Sequence, residues 1–231
     1  MPRPPLMPPD PPVALLGGTF DPVHFGHLRF ADEVRRALGL SELRLVPAGV
    51  PPHRGGPVAS NADRLAMLEL AIAGFPGLVI DGRELARPGK SYTVLTLSEL
   101  RSEFPRRPLW LLLGADAFRG LPTWYRWREI FALAHVIVVA RPGVAVADDM
   151  PGPLLAEWNA RRTTDPGVLF STPAGAIYEQ AITPQPVAAT VIRAQLARGA
   201  AGRQAVAGLL PAAVLTYIDQ HRLYLPHPDA T

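Results

Sequence analysis

The chain has 231 residues, 48% of them hydrophobic and 19% charged, with a formal net charge of +3. That composition describes a folded chain large enough to bury its own core; it permits an anionic ligand without demanding nucleic acid, and no apolar run approaches the ~18 residues of a membrane helix. Cysteine is absent, which excludes disulfides, thiolate catalysis, cysteine-held zinc and iron–sulfur clusters.

Residues 1–12 contain seven prolines and no apolar stretch of signal-peptide length, and predict a disordered or polyproline-like tail ahead of a single domain over 13–225. A short apolar strand at 13–16 runs into Gly17 and Gly18. A helix over 25–38 follows, with Leu28, Ala31, Val34 and Leu38 on one face. The next strand is 43–47, and Asn61 is the expected N-cap of a helix burying Leu65, Leu68 and Ile72. A strand at 78–81 precedes a helix capped by Ser91, with Val94, Leu97 and Leu100 inward. The apolar run 109–113 has the pattern of a strand covered on both faces. Residues 127–134 read as helix and 135–140 as another buried strand.

The 144–176 stretch is rich in Pro, Gly and Asp and reads as loops, with a short helix near 154–161 and a late strand at 168–172. Helices at 188–198, ended by Gly199, and at 212–222 complete the chain. Strands separated by single helices imply βαβ units, hence an α/β, Rossmann-like, mostly parallel doubly wound sheet with C-terminal helices.

Ligands of such sheets bind beyond the carboxyl ends of the strands. The first strand-to-helix junction there reads Gly17-Gly18-Thr19-Phe20-Asp21-Pro22-Val23-His24-Phe25-Gly26-His27. Glycines at a strand end let backbone amides approach an anion, and histidines three apart share one helix face, with Gly26 leaving a gap for a ligand between the imidazoles. Two imidazoles facing a glycine turn make an oxyanion or phosphate site. Lys90 is the only lysine, so any further anion clamp must be guanidinium, imidazole or backbone. A metal pair is the competing reading of His24 and His27, but no third ligand cluster is evident. The P-loop and Rossmann glycine spacings are both missing.

The string GGTFDPVHFGH resembles the signature of the H-x-G-H nucleotidyltransferase superfamily, and the chain is similar to its bacterial nicotinate-nucleotide adenylyltransferases. PPHR at 51–54, SYT at 91–93, LLLGADAF at 111–118, LPTWYRW at 121–127, VVARPG at 138–143, TVIRAQL at 190–196 and LLPAAVLTYIDQHRLY at 209–224 extend the likeness in the same order. The resemblance implies a cytoplasmic enzyme of NAD biosynthesis that transfers AMP from ATP to nicotinate mononucleotide, with Mg²⁺ held mainly by the triphosphate and without nucleic-acid or membrane partners. It makes His24 and His27 catalytic. Gly17, Gly18, Thr19, Phe20, Arg141, Thr190 and Arg193 would bind ATP. His53, Tyr92, Thr93, Asp116, Trp124 and Tyr125 would bind the mononucleotide, Trp124 by stacking and Asp116 through ribose hydroxyls. The chain departs from the family pattern at Ala188, where a serine is usual. Two alternatives stay open: a nucleotidyltransferase with another acceptor, and a nucleotide-binding module without turnover.

Overall fold

The computed structural model describes residues 11–52, 56–140, 146–183 and 185–225. Strand alternation sets its architecture. β1 (Val13–Gly18) turns Ala14 and Leu16 to one face and Val13 and Leu15 to the other, and all four are buried, so both faces of the sheet are covered. β2 (Leu43–Pro47), β3 (Leu78–Ile80), β4 (Leu109–Gly114), β5 (His135–Ala140), β6 (Arg162–Thr163) and β7 (Ile177–Ala181) complete a seven-stranded sheet of order β3-β2-β1-β4-β5-β7-β6. Every pairing is parallel.

The helices Phe25–Ala37, Asn61–Ile72, Ala189–Leu196 and Ala212–Gln220 cover one face, burying Leu28, Val34, Leu68, Ile192 and Ile218. Thr93–Glu103, Ile130–Leu133 and Gly152–Arg161 cover the other with Leu97, Leu100, Phe131, Leu154 and Trp158. The fold is the Rossmann-like α/β arrangement expected. Strand order reverses at β1, between β2 and β4, and the crevice at that switch opens at the carboxyl ends of β1 and β4.

Four local expectations change. Residues 168–172 are not a strand but lie mostly in the helix Gly167–Ser171, because a short apolar run fits either state and Leu169 is buried from a helical turn. The strand added late is instead β7, inserted between β5 and β6. Ser60, not Asn61, caps the second helix: its hydroxyl accepts from Asp63 N at 3.1 Å, the reach an N-cap needs. Ser91 caps nothing. Its Oγ accepts from Gly49 N at 2.9 Å, and the helix starts behind Tyr92 without a side-chain cap. The helix expected at 188–198 spans Ala189–Leu196 and ends before Gly199 (φ 73°) as expected, but a further helix, Ala200–Val206, follows it.

Candidate active site

Beyond Gly18 the chain makes a tight turn with Phe20 at φ 49° and enters the Phe25–Ala37 helix with His24 at its N-cap. Gly18 is needed here: a Cβ would meet the Phe20 ring at 2.9 Å, and that ring stands edge-on to His27 with centroids 5.0 Å apart. The gap expected at Gly26 is closed by protein. A Cβ on Gly26 would lie 2.8 Å from the His24 ring, which stacks on His27 at 3.7 Å. No ligand passes between the imidazoles; they present themselves as one stacked unit.

Both Nδ1 atoms of this pair are buried and have no partner among the described residues. Burial lowers the His24 pKa to about 4, and burial together with the His24 ring lowers that of His27 well below its usual value. Both imidazoles are thus held neutral at the wall of the cleft they line.

Their cleft has a volume of about 900 Å³ and runs from Gly18, Thr19 and Phe20 across Gly114 and Asp116 to Ala188, Ala189, Thr190 and Arg193. A second cavity of about 290 Å³ adjoins it, lined by Ser91, Tyr92, Thr93, Thr123, Trp124 and Tyr125. Thr19 and Pro51 line both, so the two spaces are neighbours that share a wall at the end of β1. The Tyr92 and Tyr125 rings are 4.6 Å apart, giving the smaller cavity an aromatic wall.

At the far wall the Ala189–Leu196 helix opens behind Ala188, whose extended backbone suits an N-cap but whose side chain offers no acceptor. Arg193, one turn in, donates Nη1 to the Asp21 carbonyl at 2.6 Å. The Asp21 carboxylate is buried and accepts from Val58 N at 2.7 Å, Ala59 N at 3.1 Å and the Tyr224 hydroxyl at 2.6 Å. Arg64 is fully buried beneath the turn, donating to the carbonyls of Thr19 and Ala48, each at 2.6 Å, and to Asn61 Oδ1 at 2.7 Å.

The structure thus brings His24, His27, Gly18, Thr19, Phe20, Asp116, Thr190 and Arg193 to one cleft, and Tyr92, Thr93, Trp124 and Tyr125 to its neighbour. Gly17 lies inside β1, in register with Val46, and does not line the cleft. The Asp116 side chain is 97% exposed and pairs with Arg119 at 2.6 Å. His53 and Arg141 lie outside the described residues. The roles of Arg64 and Tyr224 escaped the sequence reading. Arg64 left one signal, standing three and four positions before Met67 and Leu68 on a buried helical face.

The parallel sheet, with its histidine pair and glycine turn at the switch point, defines the nucleotidyltransferase class. In agreement, the cytidylyltransferase-like family model matches residues 15–195. The chain is 50% identical over 213 residues to a Laribacter hongkongensis protein named "Probable nicotinate-nucleotide adenylyltransferase", covering 92% of this chain and 94% of that one. A Dechloromonas aromatica protein of the same name is 49% identical, over 92% of this chain and 97% of its own. The chain belongs to the nicotinate-nucleotide adenylyltransferase family. Its fold also matches the solved structure of a Plasmodium falciparum nicotinic acid mononucleotide adenylyltransferase complexed with NaAD, with a TM-score of 0.70 at 15% identity over 93% of this chain and 97% of that one.

Proposed function

We infer that the protein transfers the AMP unit of ATP to nicotinate mononucleotide, releasing pyrophosphate and forming deamido-NAD, as a step of NAD biosynthesis. Family membership supports the reaction. The observation that supports the division of labour is the adjacency of the two cavities, which share Thr19 and Pro51. With ATP in the larger space and the nicotinate ring in the smaller, the acceptor's 5′-phosphate meets the α-phosphate at that junction.

An oxygen of the acceptor phosphate attacks the α-phosphorus, and the bond from that phosphorus to the bridging oxygen of the β-phosphate breaks. The electron pair leaves with pyrophosphate. The nucleophile is already an anion, so no general base is required; the protein supplies in-line placement and charge stabilisation. His24 and His27 face the phosphates from the near wall with the turn amides at Gly18–Phe20. Arg193 and the helix start at Ala189–Thr190 face them from the far wall.

Mg²⁺ bound with ATP would supply further charge neutralisation. Among the described residues no three acidic or histidine side chains gather into a metal cage, which suits an ion held by triphosphate oxygens and water, with Asp116 the exposed carboxylate at hand.

In the acceptor cavity, Trp124 offers a face for stacking on the ring. The Thr93–Glu103 helix starts here, and its first amides would serve the nicotinate carboxylate. The Trp124 amide is already bonded to the Leu121 carbonyl at 2.9 Å, which leaves Tyr92, Thr93 and Tyr125 as candidate amide donors of this wall. A carboxylate accepts from such donors. A carboxamide NH₂ opposes them, at a cost of about 1–3 kcal/mol for each buried group left unpaired.

Turnover with ATP and each mononucleotide tests the reading. The nicotinate form should be preferred by about 10–10³ in kcat/KM. Trp124→Ala should lower kcat/KM for both acceptors by a similar factor, since stacking does not sense the carboxylate. Comparable kcat/KM for the two acceptors in the unmodified protein would overturn the assignment.

A further inference from the structure

Three distant parts of the chain converge on Asp21. Its carboxylate takes two amides from the 56–60 segment and the hydroxyl of Tyr224, a residue 203 positions away, while its carbonyl takes the Arg193 guanidinium. Tyr224 follows the last helix at φ 60°, a left-handed backbone conformation that tyrosine rarely adopts, and its side chain is buried against the core at 7% exposure. Leu223 N donates to the Ile218 carbonyl at 2.9 Å and so fixes the reversal that turns the ring inward. The 2.6 Å contact has the length of a charge-assisted O–H···O⁻ bond. Burial and the Asp21 charge both push the phenol pKa upward, so the hydroxyl keeps its proton and acts as a donor.

We propose that Tyr224 and Asp21 are positioning residues that latch Arg193 and the 56–60 wall into place for the triphosphate, an inference that rests on the phosphate-binding role of Arg193. Neither residue has to touch the reacting atoms. The Asp21 carbonyl engages Arg193 through Nη1 alone, which leaves Nε and Nη2 for the cleft that Arg193 lines. The Asp21 carboxylate lies 3.9 Å from the same guanidinium and attracts it. Val58, whose amide the carboxylate holds, lines the same cleft. Loosening Asp21 therefore frees a guanidinium and a cleft wall together. The acceptor cavity, which includes none of Asp21, Val58, Arg193 or Tyr224, stays as it was.

Tyr224→Phe separates the hydroxyl from the packing of the ring. The variant should melt within a few degrees of the parent. Its KM for ATP should rise by about 5–20-fold, the loss expected of one charge-assisted hydrogen bond acting through its partner, while KM for nicotinate mononucleotide stays within twofold. Arg193→Ala should raise KM for ATP by itself, and adding Tyr224→Phe to it should cost less than a further twofold, because the latch would have nothing left to hold. Equal rises in both KM values, an unchanged KM for ATP, or full additivity of the two substitutions would each overturn the latch. An unchanged KM for ATP in Arg193→Ala alone would overturn the role of Arg193, and the latch with it.

Discussion

At the carboxyl end of β1 the turn is held by side chains: Arg64 bonds its Thr19 carbonyl, Asp21 binds two neighbouring amides, and Tyr224 closes the network from the end of the chain. Across the cleft, the helix start at Ala188 has no side-chain cap, and the amides of Ala189 and Thr190 take no backbone acceptor among the described residues. The Thr19 and Asp21 carbonyls and the Asp21 carboxylate of the turn are bonded before any ligand arrives, whereas the far helix start keeps its amides in reserve. The contrast fits an anion site, in which a rigid frame fixes geometry and unspent donors supply binding. Removing the carboxylate that ties the first wall together should therefore cost stability, whereas changes at the imidazoles, at the Tyr224 hydroxyl or in the far wall should act on turnover or affinity.

The sharpest break comes from Asp21→Ala. It strips three donors of their acceptor and removes a carboxylate whose charge favours the buried Arg64 guanidinium, so unfolding free energy should fall by about 3–5 kcal/mol in a urea titration. A loss below ~1 kcal/mol would mean that the near wall is not a braced frame.

The histidine pair predicts a pH dependence nearly as large. His24 has a folded pKa of about 4 against 6.5 unfolded, so the unfolded chain binds the extra proton between those values. Its contribution is fully present above pH 6.5 and is lost as pH falls towards 4, a change of about 3 kcal/mol across the window, with His27 acting in the same direction. Denaturation midpoints at pH 7, 5.5 and 4.5 should trace this decline, and His24→Asn should flatten it. A slope shared by variant and parent would place the titration elsewhere.

His27→Ala tests catalysis on the same wall. Its kcat should drop by at least ~10², about 2.7 kcal/mol of transition-state stabilisation, with little change in ATP affinity. A kcat within a few-fold of the parent would remove His27 from the mechanism. The smallest effect belongs to the far wall: Ala188→Ser adds an acceptor or phosphate contact at the N-cap, worth about 1 kcal/mol, and should lower KM for ATP several-fold with little gain in melting temperature. An unchanged KM would mean that the amides already suffice unaided.

Periodicity made β1, β2, β4, β5 and the first helix legible, because each carries a run of apolar residues that admits one reading. The segment from 144 onward resisted it. The β7 sequence IYEQA mixes apolar with charged residues, and the run around Leu169 suits a strand as well as a helix. What settled that run was its surroundings: the Trp110 indole donates to the Leu169 carbonyl at 3.0 Å, a contact between residues 59 positions apart.

By itself the sequence determined the fold class, the family and the residue types of the site. Strand and helix periods are local, and GGTFDPVHFGH lies within one continuous stretch. Only the tertiary structure decided that the two imidazoles stack and close the Gly26 gap, and that Gly17 stays in its strand. It alone joined Asp21 to Tyr224 and seated Arg64 beneath Thr19. The Arg64 and Tyr224 contacts link residues 45 and 203 positions apart. Along the chain Arg64 and Tyr224 look like an ordinary helical charge and an ordinary aromatic. They become a frame because the parallel sheet delivers the β1 turn, the start of the second helix and the C-terminal end to one place, where a buried carboxylate and a buried guanidinium must each find partners.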